Sequence, residues 1–147
     1  MDSHLAIMDL IHQKIDHLAS EFLSPPPVFE IMQGEFLEFD VDDRKLKARF
    51  PVLGVYLNPY GSMQGGMIAA AVDNVLGPLS VLIAPPNVTR NLELRYSRPV
   101  MPEMAFIIVE AIFLQRDGQE LTFKAFVRDP AGKLLARAKA THWIVGA

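Results

Sequence analysis

The residue types best suited to chemistry in this 147-residue chain sit where a polar loop turns into an uncharged run. The stretch reads Asn58-Pro59-Tyr60-Gly61-Ser62-Met63-Gln64-Gly65-Gly66-Met67-Ile68-Ala69-Ala70-Ala71-Val72-Asp73-Asn74. Ala-rich runs favour helix, and a helix apolar on every side is a buried one. The pattern predicts a helix from residue 64 to about 82 with Gly65 and Gly66 at its start. Two glycines let a ligand or another chain come close to the backbone. The first N–H groups of a helix lack internal partners and mark the positive end of its dipole, so they would face such a visitor. Asp73 follows about two and a half turns later. Its neighbours on that face, Ala69, Ala70, Leu76 and Gly77, are apolar. A lone carboxylate in such company needs a partner or a task. Donors that can polarise a carbonyl and a carboxylate that can take a proton thus lie along one helix.

Such a helix needs a scaffold to bury it, and the flanking sequence reads as strands. From residue 35, Leu37, Phe39 and Val41 alternate with Phe36, Glu38 and Asp40. Asp42-Asp43 turns the chain, and Leu46, Ala48 and Phe50 then alternate with Lys45, Lys47 and Arg49. This predicts a hairpin with one wet face. Beyond Pro85-Pro86-Asn87, strands are expected at 88–96, 105–115, 120–128 and 133–143, with Asp117-Gly118 and Asp129-Pro130-Ala131-Gly132 as turns. Ala136, Ala138 and Ala140 make a row of small side chains on which the Ala-rich helix can lie closely. The strand 105–115 is apolar on both faces, which predicts cover from a second subunit. Ahead of the sheet, Ile7, Ile11, Ile15, Leu18 and Phe22 recur at helical spacing, giving an amphipathic helix over 4–23. Asp2 or Ser3 can cap it, and Ser24-Pro25-Pro26-Pro27 ends it. The expected organisation is a helix in residues 1–24 and one α+β domain in 25–147, a long central helix wrapped by an antiparallel sheet.

Composition narrows the function classes. A net charge of −3 gives no electrostatic reason to expect nucleic-acid binding. With no cysteine, disulfides, Cys metal sites and Cys nucleophiles are excluded. His4, His12 and His17 lack the i,i+3 or i,i+4 spacing that would put two imidazoles on one metal, so no metal site is expected. No apolar run is read as reaching the length of a membrane span, and the N-terminus, with Asp2, Asp9 and Asp16 among its apolar residues, is not read as a signal peptide. A cytoplasmic protein, without membrane or nucleic-acid partners, is the expectation.

Asn58, then Gln64-Gly65-Gly66 six residues on, then Asp73 nine residues after Gln64, resembles the motif of the hot-dog-fold acyl-CoA thioesterases of the phenylacetate-pathway (PaaI-like) branch. That family carries His-Gly-Gly or a close variant at the middle position, so Gln64 is a departure. The stretch 89–99 is similar to the family's strand after the central helix, with Thr89 seven residues before Tyr96 and Pro99 following. The likeness runs from roughly residue 35 to 143.

The resemblance implies the hot-dog fold, hydrolysis of acyl-CoA to free acid and coenzyme A, and a homodimer or homotetramer with sites at the subunit interface. It implies no cofactor, coenzyme A being part of the substrate. In that reading the Gly65 N–H polarises the thioester carbonyl and Asp73 is general base or nucleophile. Asn58 orients the thioester or the water, and Thr89 holds the water. Gln64 can exchange hydrogen bonds but carries no proton at neutral pH, so the mechanism cannot use a histidine there. Gly66, Met67 and Arg90 join Thr89 as substrate-contacting candidates. Met63, Phe106 and Phe113 are further candidates for the pocket lining. Arg90, Arg95 and Arg98, or Lys124, Arg128, Lys133, Arg137 and Lys139, are candidates for the coenzyme A phosphates.

Plainer readings stand beside these. Asp73 can pair locally with Asn74 or Arg90, the glycines can serve helix–sheet packing, and Asn58 can be ordinary Asn-Pro turn chemistry. His142 shows no partner and reads as structural. At the level of function, the alternative is a hot-dog domain that binds acyl-CoA without turning it over. A hydratase or dehydratase is disfavoured, because no Asp and His stand a few residues apart in the central helix.

Overall fold

The computed structural model describes residues 2–15 and 26–146. Helix α1 (Ser3–Ile15) and a short α2 (Pro27–Ile31) precede a hairpin of β1 (Glu35–Asp40) and β2 (Lys45–Pro51). The long helix α3 (Gly65–Ile83) follows, then β3 (Asn87–Tyr96), β4 (Phe106–Asp117), β5 (Glu120–Arg128) and β6 (Leu134–Ile144). The six strands form one antiparallel sheet in the order β1-β2-β4-β5-β6-β3, with α3 packed against it. This is the α+β hot-dog arrangement, with β3 at one edge. The remainder of the expected 4–23 helix beyond Ile15 lies outside the described residues.

While β1 packs on α1, helix α3 packs on β2, β3, β4 and β5. Leu46 and Ala48 of β2, Val109 and Ala111 of β4, and Val127 of β5 are fully buried there. The Ala136, Ala138 and Ala140 row of β6 is buried as expected. The helix itself packs chiefly on β4 and not on that row, and contributes Ala71, Val72, Val75, Leu76 and Leu79, all at 0% exposure. Contrary to the reading of the apolar runs, α3 is long and apolar enough to cross a membrane by length and composition. Here it is the core helix of the domain. Pro78 lies inside it and removes one i to i−4 hydrogen bond, that to Asn74.

Two local features differ from the sequence reading. A bulge at Leu37 shifts the phase of β1, so Phe36 pairs with Ala48 and Phe39 with Leu46. Phe36 therefore faces the core, Leu37 is half-buried, and Val41 is exposed. Second, the proline run starts a helix as well as ending one: Pro26 is extended and Pro27 occupies the first turn of α2, where its missing N–H is harmless. Phe29 of α2 stacks on Phe36 with ring centres 4.6 Å apart. The outward residues Phe106, Ile108 and Ile112 of β4 are half-buried in the single chain. Arg49 lies over the Phe106 ring at 5.3 Å, its stem covering apolar surface.

Candidate active site

Helix α3 carries chemistry at both ends of its first half. At its start, Gln64 is the N-cap in extended conformation and makes no side-chain cap. The donors of Gly65 and Gly66 have no carbonyl a turn earlier to accept them. Tyr96 of β3 closes on this point, its hydroxyl donating to the Gly65 carbonyl at 2.7 Å. A Cβ on Gly65 would lie 3.2 Å from the Tyr96 ring, whereas one on Gly66 would meet open space. The glycine pair is thus half packing and half access. Gly66 is exposed and Met67 half-buried beside it.

Asn58 shapes the loop that leads into the helix. Its Oδ1 accepts from the N–H groups of Tyr60 and Ser62 at 2.9 and 3.2 Å, and its Nδ2 donates to the Ser62 hydroxyl at 2.9 Å. The Gln64 N–H donates to the Tyr56 carbonyl at 2.7 Å, pinning the helix start. These contacts match the turn chemistry of the plainer reading.

Asp73 is exposed in the single chain, a correction to the apolar enclosure read from its helix neighbours. The Thr89 hydroxyl donates to Asp73 Oδ1 at 3.0 Å. Asn74 instead bonds the Ala70 carbonyl, and Arg90 lies over the Trp143 ring at 4.5 Å. Neither of the local partners considered for Asp73 is the one it has. A register shift in β3 between Thr89 and Asn91 accompanies this placement, with Thr89 opposite His142 of β6.

His142 does have partners. Its Nε2 lies 3.4 Å from Thr89 Oγ1, and its Nδ1 lies 2.8 Å from Asn87 Oδ1. The ring is 1% exposed. Burial pushes its pKa below the ordinary 6.5, and the nearby Asp73 charge partly opposes this. Asn87, Thr89 and His142 form the polar wall of a cavity of about 230 Å³. Met8, Ile11 and Ile15 of α1 and Phe29 and Phe36 form its apolar side.

The structure therefore brings Asp73 and Thr89 together, adds Asn87 and His142, and keeps Gly65, Gln64 and Asn58 apart from them. Gly65 and Asp73 are separated by about 12 Å of helix at 1.5 Å per residue. One carbonyl cannot touch both in a single chain. The cationic candidates also divide: Arg95, Lys124, Arg137 and Lys139 share a groove of about 680 Å³ on the sheet with Glu93. Arg98 lies instead beside the helix start, with Gly65 and Tyr96. Phe106 and Phe113 stand away from the cavity, under Arg49 and Arg44.

No protein-family model matches the sequence, and no curated protein matches it either. Solved structures do. A phenylacetic acid degradation-related protein of Ralstonia eutropha superposes with a TM-score of 0.77 at 25% identity, over 89% of this chain and 98% of that one. A thioesterase of Staphylococcus aureus, solved as a mutant, gives 0.75 at 12% identity, over 82% and 100%. A Streptococcus mutans protein bound to acetyl CoA gives 0.72 at 16% identity, over 87% and 96%. PaaI proteins of Thermus thermophilus, solved as a mutant, and of E. coli are also among the structural neighbours, with TM-scores of 0.73 and 0.78 at 20% and 12% identity, over 82% and 96% of this chain and 100% and 97% of theirs.

Proposed function

We propose that the protein hydrolyses acyl-CoA thioesters to free acid and coenzyme A. The observation that carries this reading is the exposed Asp73 carboxylate, held by Thr89, on the same helix whose glycine-paired N-terminus offers free donors. The Gly65 N–H takes the developing oxyanion; one such donor contributes about 10²–10³ in rate. Asp73 removes the proton from the attacking water, or attacks the carbonyl itself. Asn58 acts by shaping the loop before the helix. Gln64, exposed at the N-cap, contributes hydrogen bonds and no proton.

Because Gly65 and Asp73 lie too far apart in one chain, the site is completed by a second copy. The donor end of one α3 then faces the Asp73 of the other protomer. The unpaired edge of β3 supports such pairing, since an open strand edge offers its backbone to another strand. A panel of acyl-CoA esters with detection of the free thiol tests the activity. Release of coenzyme A from none of them would end this reading.

The second reading, a binder of acyl-CoA that does no chemistry, draws on Gln64 standing where the resembled family has His. Wild type and Gln64→His, assayed together, separate the two. A hydrolase keeps turnover within roughly tenfold on that change, about 1.4 kcal/mol in barrier. A silent binder shows no turnover until the histidine is introduced.

A further inference from the structure

We infer that His142 stores the proton that Asp73 takes from water, reached through the hydroxyl of Thr89. This role rests on the hydrolase reading above, but its geometry is independent of the substrate.

The hydrogen positions follow from the partners. Asn87 Nδ2 donates to the Pro85 carbonyl at 2.9 Å, which turns Asn87 Oδ1 toward His142 Nδ1 at 2.8 Å. Nδ1 must then carry hydrogen, so the neutral ring presents a bare lone pair at Nε2. Thr89 stands between that lone pair, at 3.4 Å, and Asp73 Oδ1, at 3.0 Å. Its hydroxyl has one hydrogen for two acceptors. Donated to the carboxylate, it leaves a buried Nε2 without a donor; turned to Nε2, it releases the carboxylate. A proton on Nε2 removes the conflict. Imidazolium Nε2–H then donates to Thr89, Thr89 to Asp73, and Nδ1–H to Asn87, so each donor meets an acceptor.

The surroundings suit a temporary store. The Phe123 ring of β5 lies 4.7 Å from the imidazole, and Leu121 of β5 pairs with His142 in the sheet. Met8 and Ile11 of α1 and Ser80 and Val81 of α3 line the adjoining cavity, all without charge. The Asp73 carboxylate is the charge that acts on the ring. Burial works against the imidazolium and Asp73 works for it, so the proton is accepted and readily returned.

In hydrolysis, one O–H bond of water breaks as its oxygen bonds to the thioester carbon, and Asp73 takes the proton. With that proton on Oδ1, it passes to Thr89 Oγ1 while the hydroxyl hydrogen passes to His142 Nε2. Asp73 is a carboxylate again. The C–S bond breaks, and the stored proton returns along the same path to the coenzyme A thiolate.

Ring ¹⁵N spectra of His142 test the relay without substrate. The expected result is a neutral Nδ1–H tautomer whose titration moves to lower pH in Asp73→Asn. An Nε2–H tautomer, or a titration indifferent to Asp73→Asn, overturns the proposal. With acyl-CoA, Thr89→Val and His142→Gln should each lower kcat by about tenfold or more with KM within about twofold, and should erase the same limb of the kcat–pH profile. Thr89→Ser should restore both. Unchanged kcat and profile in folded His142→Gln overturns the relay; if that variant does not fold, Thr89→Val against Thr89→Ser decides by the same readouts. Absence of hydrolysis by wild type ends the hydrolase reading, and the ring spectra then decide the Asp73–Thr89–His142 coupling alone.

Discussion

Thr89 holds one oxygen of the Asp73 carboxylate while the residue as a whole remains open to solvent, so the group is oriented without being buried. Asp73→Asn keeps an acceptor for Thr89 and changes an exposed position, so the fold should lose no more than about 0.5 kcal/mol. Thioester turnover should drop by about 10²–10⁴, the range for a positioned base. Thermal melts and a thiol-release assay on the same preparation check both halves. His142 gives a second prediction, from stability. Its folded pKa lies below its ordinary value of 6.5, so the unfolded chain binds the proton more readily. Its contribution is complete above about pH 6.5 and is lost as pH falls through the lower, folded value. The melting temperature should therefore decline on acidification below about pH 6.5, and His142→Gln should flatten that decline relative to wild type. An equal slope in both proteins would remove His142 as its source. At this scale the sequence showed Asp73 through its spacing from Asn58 and Gln64, and Thr89 separately through its spacing from Tyr96, but not that the two side chains meet. It hid His142, which meets Thr89 only through cross-strand register between β3 and β6, 53 residues away in the chain.

Each element follows from a pattern that survives folding or fails for a nameable local reason. The uncharged, Ala-rich run placed α3 within a residue of its ends, and the turn residues placed β4 to β6. The β1 alternation failed because a single bulge at Leu37 reverses the phase, which a period-2 reading cannot detect. Helix α2 was hidden because prolines, read as a stop, also make a good first turn. That small helix presses Phe29 against the start of β1, leaving no space at Gly34. A Cβ there would sit 2.6 Å from the Phe29 ring and 2.8 Å from the Phe50 ring. Both rings are buried and cannot swing aside. Gly34→Ala should thus destabilise the fold by about 1–3 kcal/mol, the usual range for overpacking. Denaturant unfolding with an unchanged m-value would register it, and a loss under about 0.5 kcal/mol would mean that α2 can shift away.

At the scale of the whole molecule, the helix geometry and the proposed chemistry agree only if two copies share each site. A two-fold dimer uses the same patch on both chains, so it holds two equivalent sites. Each would take its oxyanion donor from one protomer and its carboxylate from the other. The protein should accordingly show at least a dimeric mass by light scattering at micromolar concentration. Sharing, beyond mere association, has its own signature. Gly65→Pro removes the N–H at a helix position that tolerates proline, provided that Tyr96 yields slightly to the added Cβ. Gly65→Pro and Asp73→Asn should each be nearly inactive as pure proteins. Mixed in equal amounts, dissociated and reassociated, they form hybrids in half of the dimers. Every hybrid has one site with both defects and one with neither, so the mixture should recover about a quarter of wild-type turnover. If both groups acted within one chain, each subunit of a hybrid would still carry its own defect and the mixture would stay inactive. Recovery therefore distinguishes a composite site from a dimer of separate ones.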